Sequence, residues 1–156
     1  MRKRLIPEGS CDESTAEPRW LDLEQLAEAE ISSEDDHFPI ESALVPGKGS
    51  GWRAVHPGPQ TIRLRFDRWQ KVGRIELTFE EREVERTQEF VLRWSPDGRS
   101  YRDLRRQQYT FSPKGATSEV ETYEVELDGV KALELEIMPE IRGGAVRASL
   151  VRWRVG

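Results

Sequence analysis

From Gln60 to the end of the chain, apolar residues recur with a period of two almost without interruption. Ile62, Leu64 and Phe66 alternate with Arg63 and Arg65, and Ile75, Leu77 and Phe79 alternate with Glu76 and Thr78. The spacing returns in Phe90, Leu92 and Trp94, in Tyr123, Val125 and Leu127, and in Leu133, Leu135 and Ile137. Successive side chains of a strand point to opposite faces, so each segment has one face to bury and one to hydrate. No helical segment of useful length interrupts them. This pattern predicts an all-β fold, an antiparallel β-sandwich or jelly roll of about eight to nine strands. Strands of a parallel sheet would be apolar on both faces.

Local signals refine the pattern. In "RWSPDGRSYRDL", Arg93 to Leu104, Pro96 presets its φ, Asp97 can bond nearby backbone, and Gly98 accepts a positive φ, so the stretch reads as a hairpin corner that sets register. Near the end the apolar set changes phase, from Val146, Ala148 and Leu150 to Val151, Trp153 and Val155, which predicts a β-bulge near Leu150. Before the alternation begins, Trp20, Leu23 and Leu26 have helical spacing and Ala27, Ala29 and Ile31 alternate with glutamates. That stretch reads as a helical turn entering a first strand. Residues 1–19 mix charge, Gly, Ser and Pro without period and read as a flexible leader, which leaves residues 20–156 as one domain. A chain of 156 residues can bury a genuine core.

Charge narrows the choice of partner. Of the 24 basic and 29 acidic residues, Met1 to Asp36 holds 4 and 11, leaving 20 and 18 in the remainder. A nearly neutral body without a basic excess argues against a nucleic-acid partner. The single cysteine, Cys11, allows no internal disulfide, and the opening "MRKRLIP" is too short for a signal or a membrane span, so the expectation is a cytoplasmic protein.

If each strand reverses direction, the connections sort to alternate ends. The short "DRWQKV", "SPDGRS" and "LDGVK" fall at one end. The long connections Val45 to Pro59, Glu80 to Glu89, Tyr109 to Val120 and Pro139 to Val146 fall at the other. Rigid scaffolds present ligands to their longer loops, so the second end is the candidate binding surface. Trp52, Arg53, His56, Arg82, Glu83, Tyr109 and Arg142 stand there as candidate ligand-binding residues. Aromatic faces and directional donors suit hydroxyl-rich ligands such as sugars. Trp52 reads either as a stacking platform or as an aromatic plugging the mouth of the sandwich, and the "EEREVER" charges either as part of a site or as a solvated loop.

Enzymatic chemistry finds little material. His37 and His56 lie in no ligand motif, "PGKGSGW" lacks the Ser or Thr that a phosphate loop places after its lysine, and the many carboxylates are not visibly paired across a cleft. No catalytic residue, metal or cofactor is expected.

With strands and loops in order, the chain resembles the discoidin or coagulation-factor type C domain, a galactose-binding-like sandwich, over about Leu26 to Val155. "AEAEISSE" looks like the family's first strand, "ESALVPGKGSGWRA" like its "alDg…tsW" segment, and "QTIRLRFDRWQKVGRIEL" like its "wlqvDLg" hairpin. "FVLRWSPDGRSYRDL" looks like its "S.DG..W" corner, and "LELEIMPEIRGGAVRASLVRWRV" is similar to its closing strands. The resemblance implies a non-catalytic module that holds carbohydrate, phospholipid headgroups or protein partners on its long loops, with Arg53, His56, Arg82 and Tyr109 as leading ligand residues. Two departures matter. Pro46 precedes Gly47 where the family often carries an acidic calcium ligand, so no metal follows, and "EEREVERTQ" replaces the hydrophobic spikes of membrane-binding relatives, so no membrane partner is expected. The reading is thus a carbohydrate-binding module; a protein-protein interaction module of a cytoplasmic assembly is the alternative, and a structural domain without a small ligand the third.

Overall fold

The computed structural model describes residues 19–156; the leader expected over residues 1–19 lies, except for Arg19, outside the described residues. A short helix α1 (Leu23–Leu26) is capped by Asp22, whose carboxylate accepts the Gln25 amide, and leads into β1 (Ala27–Ile31). A second short helix α2 (Glu41–Leu44) precedes β2 (Trp52–Pro57). Then come β3 (Gln60–Glu80), β4 (Arg86–Ser95), β5 (Arg102–Phe111), β6 (Ser118–Met138), β7 (Arg147–Leu150) and β8 (Arg152–Val155). All strand pairings between these elements are antiparallel.

Two strands, β3 and β6, are 21 residues each and serve both layers of the sandwich. The first half of β3 lies between β1 and the second half of β6, with Leu64 opposite both Ala29 and Leu133. β4 and β5 continue that layer, Phe90 facing Ile137 on one side and Gln107 on the other. The second half of β3 lies instead between β8 and the first half of β6, Leu77 facing Trp153 and Glu121. Between the halves the register slips three times, at Arg65 to Gln70, Gln70 to Val72 and Val72 to Arg74. Irregular pairing of this kind bends a ribbon. The two strands therefore fold over together, and their apolar sets, Ile62, Leu64 and Phe66 and Ile75, Leu77 and Phe79, meet in a shared core with every one of these residues buried.

This corrects one sequence expectation. "DRWQKV" and "LDGVK" are not tight reversals between separate strands: the β3 and β6 ladder runs on through them as a bent ribbon. The sorting of connections by end nevertheless stands. Ser95 lies opposite Ala132, so the "SPDGRS" turn sits beside the bend, while Gln60 opposite Ile137 and Glu80 opposite Ser118 gather at the other pole. Pole-to-pole order follows from the strands, because Arg86 at the start of β4 bonds the Pro139 carbonyl and Ser95 at its end is beside the bend.

The phase change near the C terminus has a different origin from the bulge expected at Leu150. Ala148 and Leu150 are buried in β7, which pairs with β2; Trp153 and Val155 are buried in β8, which pairs with β3. The chain changes partner at Val151, whose amide bonds the Thr78 carbonyl at 2.9 Å. One residue is consumed in the changeover, which flips the parity of the face; the β2–β7 ladder shifts register separately, on the β2 side between Arg53 and Pro57.

The outer face of the larger layer carries the charged alternates. Arg93 is bound at 2.9 Å to each of Asp103, Glu134 and Glu136, and Arg63 reaches Glu134 at 2.6 Å, so a row of ion pairs crosses four strands.

Candidate functional site

The long connections meet at one pole. The Glu81 amide bonds the Thr117 carbonyl at 2.8 Å, and Trp52 pairs with Leu150 next to the Val151–Thr78 bond, so the segments around residues 45–59 and 109–120 both border the β3–β4 connection. Of the residues placed there by sequence, Trp52, Arg53 and His56 belong to β2 and Tyr109 to β5, rather than to irregular loops.

A cleft of about 280 Å³ opens between the start of β2, the β3–β4 connection and the end of β7. Four candidates, Trp52, Arg53, Arg82 and Glu83, line it, together with Phe38 and Ser149. Arg53 is exposed, and its guanidinium lies 4.8 Å from the centroid of the Phe38 ring. Its backbone is fixed on both sides, by the Arg53 amide to the Phe38 carbonyl at 3.1 Å and the Asp35 amide to the Arg53 carbonyl at 2.8 Å. A cation on an aromatic face is oriented without being neutralised, so its in-plane donors stay available. Arg82 pairs with Glu80, whereas neither Arg53 nor Glu83 takes part in any ion pair among the described residues.

Trp52 is not a stacking platform. It is 1% exposed, and its indole N–H donates to the Ser33 carbonyl at 3.0 Å. Burial of an indole is stable only with that donor satisfied, and here the ring is spent on the wall of the cleft. Tyr109 is likewise committed: its hydroxyl donates to the Ser118 carbonyl at 3.0 Å and its ring meets Phe111 edge-on at 5.0 Å, away from the cleft. His56 is exposed on β2 and lines neither this cleft nor the one beside Arg142. Arg142 lines a separate, more apolar cleft of about 330 Å³ beside Pro59, Met138, Ile141 and Val146. There its guanidinium is held by Glu140 through contacts of 3.1 and 3.2 Å, which keep the Glu140 carboxyl below its ordinary range.

Two residues that organise this pole escaped the alternation pattern. Phe38 stands in the irregular "DDHFPI" stretch, which carries no periodic signal. Arg86 reads as a loop charge, yet it opens β4 and is 1% exposed. Its Nε donates to Glu81 Oε1 at 2.9 Å, its Nη1 to Gln88 Oε1 at 3.0 Å and to the Pro139 carbonyl at 2.9 Å, and the guanidinium lies 4.8 Å from the Phe111 centroid. One side chain thus ties the β3–β4 connection, which floors the cleft, to the ends of β5 and β6. Among the described residues no group of three or more His, Cys, Asp or Glu is arranged to hold a metal.

No protein-family model matches the chain, and no curated protein matches its sequence. Solved structures do match its fold. A family 32 carbohydrate-binding module from Clostridium perfringens, in complex with GalNAc-β-1,3-galactose, superposes with a TM-score of 0.64 at 16% identity, covering 88% of this chain and 99% of that one. The family 32 module of C. perfringens NanJ, in complex with galactose, gives 0.61 at 15% identity over 87% and 96%. The family 32 module of AlyQ, in complex with 4,5-unsaturated mannuronic acid, gives 0.63 at 14% identity over 89% and 98%. The chain therefore has the galactose-binding-like β-sandwich fold that the discoidin resemblance implies.

Proposed function

We propose that the protein is a non-enzymatic carbohydrate-binding module whose ligand enters the cleft between Arg53 and Arg82. The observation that carries this reading is Arg53 itself, in no ion pair among the described residues, held over the Phe38 ring at the mouth of a small cleft on a fold whose solved neighbours include sugar complexes. At about 280 Å³ the cleft lies just below the usual range for ligand sites, roughly 300–1,000 Å³, and so suits one or two sugar rings. Arg53 would donate to adjacent hydroxyls, Glu83 would accept from them, and the buried Trp52 would form an apolar wall. His56, Tyr109 and Arg142 lie outside this arrangement.

The test is a glycan array followed by calorimetry on wild type, Arg53→Ala and Arg82→Ala. Binding of a sugar that Arg53→Ala weakens supports the reading; absence of any bound glycan, or binding indifferent to both variants, removes it. A second reading, a protein-interaction module, is favoured by Val84 and Ile141, which expose aliphatic side chains at the same pole, and pull-down with Ile141→Asp would separate the two.

A further inference from the structure

The bend at the opposite pole presents a tryptophan to water. Trp69 is 62% exposed, while Trp20 and Trp94 are half-buried and Trp52 and Trp153 are buried. A single exposed apolar side chain is ordinary. Trp69 differs in being held. Its indole N–H donates to the Pro96 carbonyl at 2.7 Å, its Cδ1 lies where a side chain on Gly129 would touch it at 3.8 Å, and the Lys131 ammonium lies 4.6 Å from its centroid. Lys131 is positioned in turn by the Asp67 carbonyl, at 2.9 Å.

The carbonyl that holds the indole belongs to the "SPDGRS" turn, and that turn is fixed well beyond what pairing β4 with β5 requires. Ser95 Oγ accepts the Gly98 amide at 2.8 Å and the Asp97 amide at 3.3 Å, and Asp97 Oδ1 accepts the Arg99 and Ser100 amides at 2.8 Å each. Gly98 has a φ of +77° that other residues rarely adopt. The rigid corner that the sequence singles out thus serves as the mount of the exposed ring.

We propose that this corner is a second ligand site, at the pole opposite the loop cleft, where Trp69 stacks on a pyranose ring bearing a carboxylate and Lys131 binds that carboxylate. With one edge tied to Pro96 and one face beside the Lys131 ammonium, exposure of 62% leaves a flat apolar surface open to the C–H face of a sugar. A ring already immobilised loses little freedom on binding. The acidic class follows from Lys131, which bonds a backbone carbonyl and takes part in no ion pair among the described residues, so donors remain for an anion. Arg68 and Lys71, both exposed on the same bend, offset the exposed Asp67 and Asp128, while Asp97 turns Oδ1 to the turn amides. A lone indole beside Asp67 and Asp128 offers too little apolar area to enter a bilayer. The site shares no residue with the loop cleft and stands independently of it.

The experiment titrates trimers of galacturonate and mannuronate, with a neutral galactose trimer as control, into the wild-type chain. It reads acrylamide quenching of tryptophan fluorescence and calorimetric affinity. The same titrations on Arg53→Ala/Arg82→Ala keep the two poles apart. An acidic trimer should shield Trp69 from quenching in both proteins with equal affinity. Trp69→Ala should weaken binding at least tenfold, Trp69→Phe should retain part of it, and Lys131→Gln should abolish the preference for acidic over neutral trimer. Binding unchanged in Trp69→Ala and Trp69→Phe overturns the proposal, as does equal protection by the neutral trimer or protection by none of the three. Adsorption to phosphatidylserine vesicles that depends on Trp69, without protection by sugar, would assign the corner to a lipid surface and also overturn it.

Discussion

Phe79 and Phe90 stack with ring centroids 5.1 Å apart and planes inclined by 29°, although Phe79 lies in the second half of β3 and Phe90 in β4, on the opposing layer. Their contact fastens the two layers just inside the loop pole. Because both are at most 1% exposed, truncation leaves a cavity that rigid sheets cannot close. Phe79→Ala is expected to cost about 3–5 kcal/mol in urea unfolding. A double-mutant cycle with Phe90→Leu should return a coupling of about 0.5–1.5 kcal/mol from the ring pair.

Arg86 has a side chain with no exposure and holds Glu81, which is mostly covered. Removing the arginine strands that carboxylate and the Pro139 carbonyl. Arg86→Ala should destabilise the fold by about 3 kcal/mol. It should also weaken sugar binding by more than its effect on stability at temperatures where the variant is still folded. Thermal melts and calorimetry on the same sample check both parts.

Arg93 bridges Asp103, Glu134 and Glu136, and its guanidinium geometry serves three acceptors that one ammonium cannot reach together. Arg93→Lys is expected to lose about 1.5–3 kcal/mol, the worth of one charge-assisted bond. Half-covered pairs are only partly screened, so the loss should shrink modestly between 0.05 and 1 M salt.

Glu119 faces the interior beside Phe79, 3% exposed, and burial together with the neighbouring Glu121 carboxyl pushes its carboxyl up to about 8. The folded state therefore holds a proton that the unfolded chain releases near 4.5, so stability is fully present below about pH 4.5 and falls as pH rises toward 8. Glu119→Gln removes the titration. Wild type should lose about 1 kcal/mol or more between pH 5 and 8.5, roughly 2–4 °C in Tm, while the variant stays level. Melting curves across that range decide it.

Arg53→Ala should reduce affinity for the cleft sugar by about tenfold or more, corresponding to loss of one charge-assisted hydrogen bond or two, with the Tm unchanged because the side chain is exposed. His56→Ala and Tyr109→Phe, at positions away from the cleft, should leave that affinity within twofold.

The fold was legible because its determinant is local. Alternation at Ile62–Phe66, Ile75–Phe79 and Phe90–Trp94 states which face each strand buries, and a period of two survives any arrangement of the strands. What alternation does not encode is where a strand ends when the chain merely bends: "DRWQKV" carries the polar residues of a turn, yet the pairing continues through it. The site was legible only in part. Position along the chain brings Arg53 and Arg82 to one pole, that of the long connections, but whether Trp52 faces inward or outward depends on the Ser33 carbonyl, supplied from a distant segment. For the same reason Phe38 carried no signal and Arg86, one of the "EEREVER" charges, could not be told from a solvated residue, since each acts through partners that only the folded chain assembles.

The shared strands β3 and β6 have a mechanical consequence. In a sandwich of separate sheets, a load pulling the layers apart works only against side-chain packing. Here the same ladder passes over the bend from one layer to the other, so separation at the closed end would have to shear backbone bonds along both strands at once. The molecule behaves as a clasp with its hinge at the bend and its mouth at the loops, and any yielding under tension begins at the mouth.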